Sequence, residues 1–390
     1  MSFIRAYKTE INPTAEQKQK IHQTIGVCRF VYNFYIAHNK DVYEKQKRFV
    51  SGMDFSKWLN NEFIPNNPDK SWIKDVGSKA VKQSIMNGEK AFKRFFDGKS
   101  KFPRFKKKNK QDVKAYFPKN NKTDWTVERH RIKMPTLGFV ALKEKGYIPT
   151  NAKVKSGTFS YKAGRYYVSV LVEEDIKILN NNINDGVGID LGIKNLAVVS
   201  NTEKPFKNIN KTKKVKELEK KLKREQRKLS RKYESLKVRN KRKGGNATRQ
   251  NIQKQIVKVQ KLHNTLTNIR DNYINQVVNE IVKTKPSYIS IEDLNVSGMM
   301  KNKHLARVIA QQKFYQFKIK LQYKCKLNGI ELRIVDRYYP SSKMCNECGS
   351  IDKTLNLSDR IYICKECGCV IDRDKNASIN LANAKTYKVA

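Results

Sequence analysis

The sequence predicts a mixed α/β protein in two parts: a small N-terminal β-barrel with helices inserted after its first strand, then an α/β unit that carries a zinc-binding insert. Three observations predict it. Period-two stretches open the chain and return from Lys114 to Glu174, as in TFSYKAGRYYVSVLVEE, and such alternation makes half-buried antiparallel strands. After residue 186, apolar strands such as GVGIDLG and SYISIED alternate with long helical periods. Two Cys-x2-Cys pairs stand close together between Cys345 and Cys367.

The first part, about 1–180, reads in order as follows. Phe3 to Glu10 is a strand, and Asn12-Pro13-Thr14 is a turn with a helix cap. Ala15 to Lys47 follows a helical period, with Ile21, Ile25, Cys28, Val31, Tyr32 and Tyr35 on one stripe. Further helices are expected at about Asp54–Phe63 and Ser78–Phe96. Lys99 to Lys110 then holds seven positive residues and no acid, interleaved with Phe102, Pro103 and Phe105. The remaining barrel strands occupy about 112–176, so the helical insert spans about 13–110. Lys177 to Asp185 (KILNNNIND) is a linker by composition.

The second part, about 186–390, opens with GVGIDLGIKNLAVVS, a hairpin-like pair of strands. A long helical pair follows at about 213–275, broken at Lys243-Gly244-Gly245-Asn246. Leu218, Leu222, Leu229, Tyr233 and Leu236 stripe its first arm, and Ile252, Ile256, Val259, Leu262, Leu266, Ile269 and Tyr273 its second. SYISIEDL is a strand, Lys303 to Leu327 a helix, and ELRIVDRYY another strand. The cysteine insert spans about 341–370.

Charge dominates the composition: 82 Lys and Arg stand against 36 Asp and Glu, a formal net of +46. An enzyme of small metabolites gains nothing from that self-repulsion, whereas a polyanion neutralises it and releases condensed counterions. A nucleic acid is the first expectation. A membrane surface is disfavoured, because no apolar run reaches transmembrane length and no lipidation motif is present. The opening MSFIRAYKTEINP lacks the apolar stretch of a signal peptide, so a cytoplasmic chain is expected. The first arm of the helical pair, Lys213–Lys243, carries sixteen positive and four negative residues, which suits phosphate contact.

Cys345 and Cys348 are followed, after fifteen residues, by Cys364 and Cys367. Gly follows the second cysteine of each pair and lets backbone amides turn toward the thiolates. Four thiolates close a tetrahedral site, so a structural Zn2+ is expected. Cys369 is a spare of poorer spacing, and Cys28 and Cys325 read as buried small hydrophobes.

Three acids stand out. Asp190 interrupts an apolar strand, where an unpaired charge costs several kcal/mol, and Gly188 and Gly192 leave room beside it for a close approach. Glu292 ends the strand YISIE, and Asp374 lies at the start of the last helical period. Convergent acids of this kind can hold paired divalent cations for phosphodiester hydrolysis. Other readings stand beside this one. Asp190 can cap a turn, Glu292 or Asp293 can pair with a lysine, and Asp372 or Asp374 can be a helix N-cap.

GIDLGIKNLAVVS, SYISIEDLNVSGMMKN, the cysteine pairs and DRDKNASINL occur in this order, with NPTAEQ, GVCRFVYN, AFKRFF and FPRFKKK before them. The set resembles the TnpB family of transposon-encoded nucleases, relatives of the type V CRISPR effectors, over almost the whole chain. The resemblance implies an α/β RNase H-like (RuvC) nuclease core with a zinc-ribbon insert, plus an N-terminal β-barrel (wedge) with an inserted helical recognition domain. It implies that Asp190, Glu292 and Asp374 are the catalytic acids and hold Mg2+ or Mn2+. Asp374 is preferred to Asp372 because the family's acid sits two residues before the Asn-Ala pair. The implied activity is RNA-guided cleavage of double-stranded DNA beside a short transposon-adjacent motif, with a guide RNA from the transposon end and no required oligomer. Lys79 and Gln83 have the spacing of the family's motif-reading pair, and Arg104, Lys106, Lys107 and Lys108 are candidate nucleic-acid contacts. The alternatives are an inactive RNA-guided repressor, which is expected to lose one of the acids, and an accessory transposase-type protein. The sequence departs from the common family wording at YYPSSKMC, where many relatives have a Thr-Ser pair; no acid is affected.

Overall fold

A computed structural model describes residues 2–108, 114–119, 124–175, 185–242, 244–245, 248–356 and 359–390. The linker expected at Lys177–Asp185 falls, apart from Asp185, outside the described residues. So do Asn109 and Lys110 of the basic run, and Lys243 and Asn246 of the helical-pair break. The chain divides into two compact units, Met1–Ile176 and Lys177–Ala390.

The first unit begins with β1 (Ser2–Asn12) and α1 (Ala15–Gln46). Thr14 and Gln17 exchange bonds at the N-terminus of α1: Thr14 Oγ1 accepts from the Gln17 amide and Gln17 Oε1 from the Thr14 amide, satisfying two donors that the helix leaves over. The apolar stripe of α1 serves two cores. Ile21 and Cys28 pack into the sheet, whereas Val27, Val31, Tyr32 and Tyr35 pack against the neighbouring helices. Those helices are α2 (Gly52–Trp58), which runs through a wide turn at Leu59–Phe63 into the single turn α3 (Ile64–Asn66), and α4 (Ser78–Phe96).

Six more strands complete the unit: β2 (Lys114–Pro118), β3 (Thr126–Val127), β4 (Arg131–Met134), β5 (Gly138–Leu142), β6 (Lys153–Lys162) and β7 (Arg165–Asp175). Ala163 and Gly164 join β6 to β7 with φ of +53° and +82°, the doubly left-handed turn that a tight hairpin needs. The strand order is β2-β6-β7-β1-β5-β4-β3. This corrects the expected barrel: among the described residues the sheet is open, with no ladder between its edge strands β2 and β3. Closure needs a ladder between those edges, and other groups fill the space. Gly77, which caps α4, sits so tightly between Phe117 of β2 and Thr136 of the β4–β5 turn that a Cβ there would lie 2.9 Å and 3.0 Å from them. Ile21, Cys28 and Ala80 from the helices join the sheet residues in one apolar core.

The second unit opens with the antiparallel strands β8 (Val187–Leu191), β9 (Asn195–Val199) and β10 (Phe206–Lys207), followed by the long pair α5 (Lys213–Arg242) and α6 (Gln250–Lys283). Next come β11 (Tyr288–Glu292), the short α7 (Val296–Met299), α8 (Ala306–Gln312), α9 (Phe314–Asn328) and β12 (Glu331–Val335). The chain ends with β13 (Ile361–Ile363), β14 (Val370–Asp372), α10 (Arg373–Ala382) and β15 (Tyr387–Val389). The main sheet has the order β10-β9-β8-β11-β12-β15. β11 is parallel to both β8 and β12, and β15 is antiparallel to β12. It is the mixed α/β core expected of a RuvC-like unit. Val187, Ile189, Ile289 and Ile291 share a core with Ile274, Val277 and Val278 of α6 and Phe317 and Leu321 of α9.

The helix expected at Lys303–Leu327 is two helices, α8 and α9, because Lys313 takes a left-handed φ of +56°. That conformation costs a lysine about 1–2 kcal/mol. Bonds on either side offset it: buried Gln312 donates to the carbonyls of Gly192 and Ile193, and Lys313 pairs with Asp271. Gln312 thereby fixes the loop that follows Asp190. Among the described residues no helix is long and apolar enough to cross a membrane.

Candidate active site and metal centre

Strand register brings the first two acids together. β11 and β8 pair in parallel as Ile289–Val187, Ser290–Gly188 and Ile291–Ile189. One step further along each strand lie Glu292 and Asp190, so both carboxylates stand at the carboxyl ends of adjacent parallel strands. The third acid arrives by helix packing. A Cβ on Gly188 would lie 2.0 Å from the Ser378 carbonyl oxygen and 2.4 Å from the Ala382 nitrogen, so α10 rests directly on β8 at this glycine. Asp190, two residues on, faces the same side as Gly188 and about 6.6 Å along the strand. Asp374 is one turn before Ser378, about 6 Å along the helix. The two advances match, and Asp374 comes to the level of Asp190.

The electrostatics report the same meeting. Burial, then the charges of Asp374 and Glu292, raise the Asp190 carboxyl to about 7, against the opposing pull of Arg373. Burial and the adjacent Asp293 also hold Glu292 above the usual carboxylate range. Among the described residues neither the Asp190 nor the Glu292 carboxylate has a hydrogen-bond donor or ion-pair partner. Asp374 is paired with Arg373 at 3.2 Å, with Arg360 at 3.9 Å. Unpaired, shielded oxygens of like charge are a donor set suited to hard divalent cations. The carboxylate oxygens of the three acids are not all within 4.8 Å of one another, as the sulfurs of the cysteine group are. Beside Glu292 opens a cavity of about 250 Å³, lined also by Asn295, Tyr315, Lys318 and Arg337.

The neighbouring acids take the simpler roles. Asp293 is paired with Lys318 at 3.3 Å and Arg337 at 2.7 Å, which hold its carboxyl low. Asp372 is the N-cap of α10, accepting from the amides of Asp374 and Lys375 at 3.0 Å each.

The four cysteines of the two knuckles form the single group of three or more metal-ligating side chains among the described residues whose donor atoms all lie within 4.8 Å of one another. Cys345 Sγ is 3.6 Å from Cys367 Sγ, and Cys348 Sγ is 3.5 Å from Cys364 Sγ. Sulfurs about 2.3 Å from a tetrahedral zinc stand about 3.8 Å apart, so the cluster has the size a zinc ion requires. Cys369 lies outside the group, near Asn346. Cys28 and Cys325 are buried.

The basic candidates are dispersed over the first unit. Lys79 and Gln83 lie one turn apart on α4, both partly buried; Lys79 pairs with Asp124 at 2.9 Å and Gln83 donates to Asn87. Arg104, Lys107 and Lys108 are exposed. Lys106 is partly buried, its ammonium 3.8 Å from the centre of the Tyr32 ring, and burial lowers its pKa. Asn33 clamps the Lys106 main chain through both its amide and its carbonyl.

Sequence reasoning missed the residues that hold α10 in place. Lys375 Nζ donates to the carbonyls of Val199, Ser200 and Thr202 at 3.2, 2.7 and 2.8 Å. Asn376 and Asn380 are buried and bond the main chain around the first knuckle. The available signal was polar residues one turn apart among the small apolar ones of NASINLA.

The chain matches three family profiles: "Helix-turn-helix domain" over residues 1–48, "Probable transposase" over 167–303 and "Cas12f1-like, TNB domain" over 314–381. It is 31% identical over 402 residues to "Putative RNA-guided DNA endonuclease InsQ" of Escherichia coli (strain K12), covering 98% of this chain and 93% of that protein. It is also 31% identical over 385 residues to a "Putative RNA-guided DNA endonuclease" of Streptomyces pristinaespiralis, covering 97% and 89%. Among solved structures it aligns with the Cas12f1 chain of a Cas12f1–sgRNA–target DNA complex, with a TM-score of 0.58 at 14% identity over 99% of this chain and 100% of that one. That last likeness is one of fold.

Proposed function

The chain belongs to the TnpB and Cas12f-like family of RNA-guided nucleases, and on that premise we propose that it is a metal-dependent endonuclease that cuts double-stranded DNA beside a short adjacent motif. The observation that carries the reading is the convergence of Asp190, Glu292 and Asp374 at the carboxyl end of one sheet, the first two without a hydrogen-bond or ion-pair partner among the described residues. These three acids would hold Mg2+ or Mn2+. When bound, such ions supply an activated water and stabilise charge on the leaving oxygen.

The chain's own residues do the rest. Gly188 lets α10 lie flat on the strand, so Asp374 is set by packing rather than by a loop. Gln312 holds the loop after Asp190, and Lys375 fastens the first turn of α10 to the end of β9. The four cysteines would bind a structural zinc, with no open coordination position. Base pairing with a guide RNA would read most of the target, leaving the protein the short motif. Lys79 and Gln83 are the proposed readers; Lys79 must share or leave Asp124 to do so. Arg104, Lys107 and Lys108 and the basic faces of α5 offer phosphate contacts, and the net charge of +46 supports an RNA and a DNA partner over any protein ligand.

The test is plasmid cleavage by the protein purified with RNA transcribed from its own locus, against a randomised flanking library with Mg2+. Asp190→Ala should keep the RNA and lose all cutting. Cutting by the variant at the wild-type rate would overturn the assignment.

A further inference from the structure

We infer that Asn376 and Asn380 are positioning residues that join zinc binding at the cysteines and cation binding at the three acids into one coupled equilibrium. The inference rests on the reading of Asp190, Glu292 and Asp374 as cation ligands.

Both asparagines are buried, with exposures of 0% and 2%, and one helical turn separates them on α10. The Asn376 side chain brackets Cys345. Its Oδ1 accepts from the amide of Asn346 at 3.0 Å, and its Nδ2 donates to the carbonyl of Met344 at 2.7 Å. Asn380 Nδ2 donates to the same Met344 carbonyl at 2.6 Å and to that of Ser341 at 2.8 Å. The first knuckle is therefore bolted to α10 through buried amides, each costly to leave unpaired.

The second knuckle grips the same helix from its start. Cys364 and Cys367 lie at the turn between β13 and β14, and β14 runs without a break into Asp372 and α10. The Arg373 amide donates to the Arg360 carbonyl at 2.8 Å. Strands of three residues each make a hairpin that is marginal alone. The sulfur cross-contacts, Cys345 with Cys367 and Cys348 with Cys364, run between the two knuckles. A metal bound there would lock them together, and with them the helix they both hold. Asp374 is the second residue of that helix, two before Asn376.

A cation pulled toward Asp374 thus pulls on a helix whose position zinc helps to set. Linkage makes the effect reciprocal: whatever zinc contributes to cation affinity, the cation contributes to zinc retention.

The experiment measures the equilibrium zinc affinity of the full-length chain by competition with a zinc-selective chelator, with and without Mg2+. Divalent-ion binding is scored separately by Mn2+ electron paramagnetic resonance. Mg2+ should raise the wild-type zinc affinity by about five-fold or more. Asp190→Asn should abolish that response. Asn376→Ala should bind zinc and Mn2+ yet lose the response, and Asn380→Ser serves if that variant fails to fold. Mn2+ binding to the wild type without any change in zinc affinity overturns the coupling alone. An unaltered response in folded Asn376→Ala and Asn380→Ser removes the asparagines from it. No Mn2+ binding at the three acids overturns the cation-site reading, and the coupling with it.

Discussion

Gly188 on β8 and Ser378 on α10 touch backbone to backbone: a side-chain carbon at 188 would stand 2.0 Å from the Ser378 carbonyl oxygen. No rotamer can relieve that overlap. Gly188→Ala should destabilise the second unit by about 3 kcal/mol or more and lift Asp374 away from Asp190, which thermal melts and cleavage assays will show together. Gly192→Ala is the control, because its nearest neighbour would be 3.4 Å away.

Asp372 and Asp374 should separate cleanly. Asp372→Ala removes an N-cap and should cost about 1 kcal/mol, measured by denaturant unfolding, with cleavage retained. Asp374→Ala should abolish cleavage with little change in guide RNA binding.

The Asp190 carboxyl, raised from 3.8 to about 7, makes a signed prediction for metal-free protein. Between those values the folded state binds more protons than the unfolded state, so stability falls as pH rises through the interval. The loss should be a few kcal/mol at most, and Asp190→Asn should flatten it. Added Mg2+ should reverse the trend, since the cation favours the ionised carboxylate. Melting temperatures across pH, with EDTA and with Mg2+, will check both signs.

Cys367→Ser and Cys369→Ser should differ although two residues separate them. Cobalt substituted into the wild type should show the intense thiolate charge-transfer bands of a four-sulfur site. Cys369→Ser should leave them unchanged, and Cys367→Ser should weaken them and speed metal loss, because Cys369 lies outside the four-sulfur group.

Much of this site could be read before any coordinates. Cysteine spacing alone carried the knuckles, since two residues between thiols suffice for a tight turn. Asp190 was conspicuous because a charge inside an apolar strand demands a reason. Asp374 was harder: residue type does not separate it from Asp372, and the choice rested on the family's spacing before the Asn-Ala pair. The open sheet was not legible, because alternation says which strands face a core and not whether the first edge meets the last. That depended on where the chain passes at Gly77. The break at Lys313 was hidden for a similar reason. The apolar period continues through it, and the bonds that offset its backbone cost come from Gly192, Ile193 and Asp271, far away in sequence. Asn376 and Asn380 were missed because nothing local marks an amide as buried.

The order in which the sheet is assembled has a consequence for the newborn chain. β8 and β11 are neighbours in space but are separated in sequence by the whole α5–α6 pair, and α10 follows later still. A ribosome releases the first unit, with its exposed cations Arg104, Lys107 and Lys108, long before residue 374 emerges. During synthesis the basic surface of the first unit is therefore complete while the proposed cation site is not.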